Sequence, residues 1–145
     1  MILRTAIVLL LAVVGGLTLL TTGCARDPDR CCDEFSPNDD KGIYCYAHRD
    51  VVTQFVRDGR TAAEQRKRLD WFKGVLKQLE PLKDSDQVHD RLAQFEESRP
   101  EFWVLYEKHH FWAGRDTNLG LVRRGELMKC GFRHGVHEME LELAR

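Results

Sequence analysis

The chain has 145 residues, a formal net charge of −1 and 31% charged residues, which leaves room for one domain around one hydrophobic core. Acidic and basic residues are interspersed, and this argues against nucleic-acid binding, which needs clustered Lys and Arg to neutralise phosphates. The short run Arg66, Lys67 and Arg68 lies between Glu64 and Asp70 and reads as a solvated helix face.

From Thr5 to Thr22 there is no charged residue, and Arg4 stands immediately before the run. This is the layout of a signal segment, although about 18 apolar residues also come near the lower limit for crossing a hydrocarbon core. The stretch closes as "LLTTGC", with small Thr22 and Gly23 ahead of Cys24. Small residues let a chain lie extended in a peptidase groove, and a cysteine thiol is a nucleophile for a thioether lipid. Met1 to about Ala25 therefore resembles the bacterial lipoprotein signal peptide with its lipobox. Gly23 and Cys24 stand at its most constrained positions, whereas Thr21 stands where the pattern prefers Leu. The resemblance implies that residues 1–23 are removed, that Cys24 carries diacylglycerol, and that its new amine is open to a further acyl chain such as palmitate. With each buried methylene contributing about 0.8 kcal/mol, two or three chains anchor stably. A retained membrane helix and ordinary signal cleavage are the alternatives, and all three place the remainder outside the cytoplasm, in the cell envelope. Ala25 leaves sorting to an outer membrane open.

Residues 24–43 are polar, contain Pro28, Pro37 and the run "PNDDKG", and read as a tether. With Cys24 assigned to lipid, Cys31, Cys32, Cys45 and Cys130 remain. Four cysteines in an oxidising compartment favour two disulfides. Neighbouring cysteines rarely bond each other, so one of Cys31 and Cys32 pairs with Cys45 and the other with Cys130. Which takes which is left open.

A helical domain is expected over 44–145. Val51, Val52, Phe55 and Val56 form an apolar face, and Gly59 is placed to stop that helix. Thr61 followed by Glu64 matches a capping box, after which Leu69, Phe72, Leu76 and Leu79 recur at helical spacing up to Pro81. A third helix begins at Asp84 to Asp86, carries Val88, Leu92 and Phe95, and ends before Pro100. Pro100 suits a first helical position, and Phe102, Leu105, Tyr106 and His109 follow along one face. "AGRDTNLG" reads as a loop, and a helix from Leu121 to Lys129 is expected to end near Gly131. The last segment fits a helix through Phe132, Val136, Met139 and Leu143, and a strand through Met139, Leu141 and Leu143. Helix is favoured because no strand elsewhere offers a partner. The expected fold is an all-α bundle of about four to six short helices, stapled by disulfides.

Sequence chemistry is sparse. Ser36, Ser85 and Ser98 lack a nucleophile-elbow context, and no glycine-rich phosphate loop is present. Acidic pairs such as Glu96 and Glu97, or Glu138 and Glu140, arise readily in so charged a chain. His109 and His110 beside Glu107 read as half-buried packing residues rather than catalysts. His134 and His137 are candidate metal ligands, with Cys130 nearby and with His48, His109 and His110 as further candidates. Of the aromatic residues between Phe102 and Trp112, most are expected in the core, with Trp103 and Trp112 as candidates for a partner surface. Together these features predict a non-enzymatic, membrane-anchored envelope lipoprotein without a cofactor, working through contacts with another envelope protein. An accessory or exclusion-type role fits its size and anchoring. The competing expectation is a metal- or small-ligand-binding lipoprotein that uses the C-terminal histidines.

Overall fold

A computed structural model describes residues 28–114 and 118–145, so the expected signal segment and Cys24 lie outside the described residues. A 3-10 helix, Pro28–Glu34, leads into five α-helices: α1 Asp40–Arg57, α2 Ala62–Leu79, α3 Ser85–Ala93, α4 Pro100–Gly114 and α5 Leu121–Leu143. The fold is the all-α bundle that the sequence predicts. No strand occurs among the described residues.

Local chemistry explains where the helices start. The Asp39 carboxylate accepts the Gly42 N–H at 2.8 Å and caps α1, so this helix begins at Asp40 rather than at Tyr44. The described part of the expected tether is accordingly structured, as a 3-10 helix and the first turn of α1. The Thr61 hydroxyl accepts the Glu64 N–H at 3.1 Å and caps α2, while the Glu64 carboxylate turns to Arg68 and Arg99. The reciprocal capping box stands instead at α3, where Asp84 accepts from Gln87 N–H at 2.9 Å and Gln87 Oε1 accepts from Asp84 N–H at 3.4 Å. Pro100 opens α4 as expected.

α1 supplies the centre of the core. Its buried residues Tyr44, Cys45, His48, Val51, Val52, Phe55 and Val56 form a continuous stripe, which packs against α5 along its length and against α4. α5 in turn touches α2, α3 and the 3-10 helix. Gly131 does not end a helix: α5 runs unbroken to Leu143. Gly131 and Gly135 lie one turn apart and face α1. A Cβ at Gly131 would fall 2.9 Å from His48 Cβ, and one at Gly135 would fall 2.8 Å from the Arg49 carbonyl oxygen. These glycines let two backbones cross closely, which outweighs their weak helix propensity. In the C-terminal turns Met139 is buried while Leu141 is 53% exposed, so the helical face is the one used.

Phe55, Trp71, Phe72, Phe102 and Phe132 meet at ring-centroid separations of 5.3 to 5.5 Å in the middle of the bundle. Two disulfides close the structure, Cys31–Cys130 and Cys32–Cys45, with Cα–Cα distances of 5.9 and 5.8 Å. They resolve the pairing left open by the sequence. One ties the N-terminal segment to α5, and the other staples the loop before α1. No helix among the described residues is long and apolar enough to cross a membrane.

Candidate functional site

Three features of this scaffold concentrate chemistry. The first is the sulfur cluster. Cys31 and Cys32 come from the 3-10 helix, Cys45 from α1 and Cys130 from α5, and the two disulfides lie against each other. Cys45 Sγ is 3.1 Å from Cys130 Sγ, and Cys32 Sγ is 3.6 Å from it. All four sulfurs fall within 4.8 Å of one another, with Cys32, Cys45 and Cys130 buried and Cys31 partly so. Because the two bridges start from adjacent residues, they cannot be far apart.

The second is a histidine–tyrosine network between α1, α3 and α4. His48 is fully buried, with Nδ1 2.7 Å from the Tyr44 carbonyl oxygen and Nε2 3.0 Å from His110 Nδ1. A carbonyl only accepts, so His48 Nδ1–H donates to it. Neutral His48 must then accept at Nε2 from His110 Nδ1–H, which leaves His110 Nε2 as the unprotonated nitrogen. The His110 ring stacks on Tyr106 at 5.0 Å and on His89 at 5.7 Å, and His89 Nδ1 is 2.8 Å from the Tyr106 hydroxyl. Burial pushes the His48 pKa down to about 3, with His110 adding to the effect, and pushes that of His110 down to about 4, assisted by His89 and Arg124. Burial also raises the Tyr44 phenol to about 12 and raises Tyr106 further. The Tyr44 hydroxyl has no hydrogen-bond partner among the described residues. Both nitrogens of His48 are thus committed to internal bonds, and the His48–His110 pair is neutral at ordinary pH. It is suited to holding α1 against α4 rather than to carrying protons. His109 is separate: its Nε2 lies 3.2 Å from Gln54 Oε1, and burial lowers its pKa.

The third is an exposed apolar face. Phe111, Trp112 and Val104 on α4 are 66%, 64% and 64% exposed. Trp112 and Ile43 border a groove of about 360 Å³ that is also lined by Pro37, Tyr46, Asp50 and His109. Trp103, expected as a partner-surface candidate, is buried instead, packed against His89 and Tyr106. Trp103 and Trp112 are two and a half helical turns apart, which puts them on opposite faces of α4.

The histidines expected as metal ligands are not assembled into a site. His134 Nε2 lies 3.3 Å from Glu138 Oε1 and 4.0 Å from Asp33 Oδ1, and burial lowers its pKa against the pull of both carboxylates. His137 lies one turn beyond on α5, half-buried. Among the described residues, the four cysteines are the group of three or more potential ligands whose donor atoms come together. No known protein family matches the chain, and no curated protein and no solved structure shows significant similarity to it.

Proposed function

We propose that this protein is a membrane-anchored extracytoplasmic lipoprotein whose helical domain acts without catalysis, through contact with another protein of the cell envelope. The observation that carries the reading is the uncharged run from Thr5 to Thr22 closing on Gly23 and Cys24. Lipid on Cys24 anchors the chain, and an oxidising compartment maintains the two disulfides. Cys31 is bonded to Cys130, and six residues lie between it and Cys24, a reach of at most about 25 Å at full extension. The domain is therefore held close against the membrane surface rather than on a long leash. The exposed Phe111 and Trp112 are the face offered to the partner. Intact-mass analysis of membrane-extracted protein tests the anchor: a chain beginning at Cys24 with added acyl mass is expected, and Cys24→Ser is expected to abolish both the added mass and the cleavage before residue 24. An unmodified Cys24 in a membrane-extracted chain overturns the proposal.

A further inference from the structure

We propose that the four sulfurs form a convertible centre: oxidised, they are two disulfides, and once both are reduced, Cys31, Cys32, Cys45 and Cys130 hold one Zn²⁺ in a tetrathiolate site. Tetrahedral zinc with Zn–S bonds of about 2.3 Å places its sulfurs about 3.8 Å apart. The contacts between the two disulfides, 3.1 and 3.6 Å, are already close to that spacing, and no pair in the set exceeds 4.8 Å. Conversion requires that the two bonded pairs separate by less than 2 Å and that the other pairs, between 3.1 and 4.8 Å apart, shift by about 1 Å or less.

The frame that carries the thiols has packing of its own besides the bridges. Cys45 and Cys130 sit where α1 and α5 cross, and that crossing is set by the close approach at Gly131 and Gly135 and by Val52, Phe55 and Phe132 in the core. Cys31 and Cys32 are brought up by a 3-10 helix that packs on α5. Three of the four side chains are at most 5% exposed, so a bound ion is shielded from competing water. An all-sulfur donor set selects soft or borderline d¹⁰ cations over magnesium or calcium.

Each disulfide takes two electrons and two protons from a dithiol reductant, which becomes its own disulfide. Two equivalents of dithiol yield four protein thiols, and Zn²⁺ displaces their four protons on binding. Two equivalents of a small-molecule disulfide, each reduced to its dithiol, reverse the sequence and release the ion. This centre is independent of the anchoring proposal, since it needs neither lipid nor Cys24.

The test uses the full chain in detergent carrying Cys24→Ser, so that the four clustered cysteines are the whole thiol count. After anaerobic reduction with a dithiol and its removal, the protein is titrated with Co²⁺ and then with Zn²⁺. The expected result is one Co²⁺ per chain with the visible bands of a tetrahedral thiolate site, displacement by Zn²⁺, and protection of all four thiols from alkylation. Zinc should also raise the Tm of the reduced protein, because an ion that prefers the folded state stabilises it, whereas capture by an unfolded chain lowers Tm. If the reduced chain loses its helical circular dichroism, zinc must restore it. Cys31→Ser should weaken zinc binding at least about 100-fold, the upper end of what loss of even an outer-shell partner costs. Substoichiometric binding, incomplete thiol protection, a Tm that falls with zinc, or unchanged affinity in Cys31→Ser would each overturn the proposal.

Discussion

Acidification from pH 7 to pH 5 should destabilise this fold through His48 and His110. Both are held neutral, with pKa values of about 3 and about 4 set first by burial, against an ordinary value of 6.5. Between these values and 6.5 the unfolded chain binds more protons than the folded one, so stability rises with pH across the window. The contribution is fully present above about pH 6.5 and is lost as pH falls toward 4. At pH 5 an unfolded imidazole sits about 1.5 units below its pKa, worth about 2 kcal/mol. His48 contributes that amount and the less buried His110 somewhat less, so about 3 kcal/mol should disappear, a large share of the 5 to 15 kcal/mol typical of a small domain. Most of the carboxylate contribution comes lower; Glu142, for example, is held below the usual range by its hydrogen bond from Arg57. Urea unfolding under non-reducing conditions at the two pH values measures the loss. His48→Gln should lower stability at pH 7 and remove roughly half of the pH dependence. Equal or greater stability at pH 5, or a His48 imidazole that titrates near 6.5 by NMR, would contradict a buried, neutral His48.

The helix crossing makes a contrasting pair: Gly135→Ala should cost about 1 to 3 kcal/mol by overpacking, whereas Gly74→Ala, where nothing lies within 4 Å of an added Cβ, should stabilise by about 0.5 to 1 kcal/mol. Thermal melts with intact disulfides read both. Trp103→Ala should destabilise by about 3 to 5 kcal/mol and Trp112→Ala by no more than about 0.5 kcal/mol; chemical denaturation showing the reverse order would contradict the faces assigned to α4. Removing the Cys31–Cys130 bridge as a double Ala variant should cost more than removing Cys32–Cys45. Their sequence separations of 99 and 13 residues correspond to loop-closure contributions of about 4.7 and about 3 kcal/mol, and guanidinium midpoints should keep that order.

Features decided within a few residues were readable from the chain. Thr61 caps α2, Pro100 opens α4, and the stripe from Val51 to Val56 is buried as its spacing indicates. Gly131 was open to misreading, because a helical glycine either stops a helix or admits a neighbour, and the neighbour here is Cys45 to Val52 on a helix far away in sequence. Asp39 offered a cap signal that the surrounding loop-forming residues obscured. The α4 tryptophans carried their own answer in their spacing, since two and a half turns place them on opposite faces. His48 falls on the same stripe as Tyr44 and Val52, so its burial was legible. Its bond to His110 was not, because that depends on how α1 meets α4. Cysteine adjacency foretold two bridges, while the choice of Cys31 for Cys130 is a tertiary matter, seen only once the 3-10 helix is packed on α5.

Anchor and bridges are tested together by mass spectrometry of the native, membrane-extracted protein, alkylated without reduction and then mapped by peptide. Expected are an N-terminal peptide that begins at Cys24 and carries acyl mass, together with Cys31–Cys130 and Cys32–Cys45 linked peptides and no alkylated cysteine. A chain that retains Met1 with a free, alkylated Cys24 would contradict the anchor.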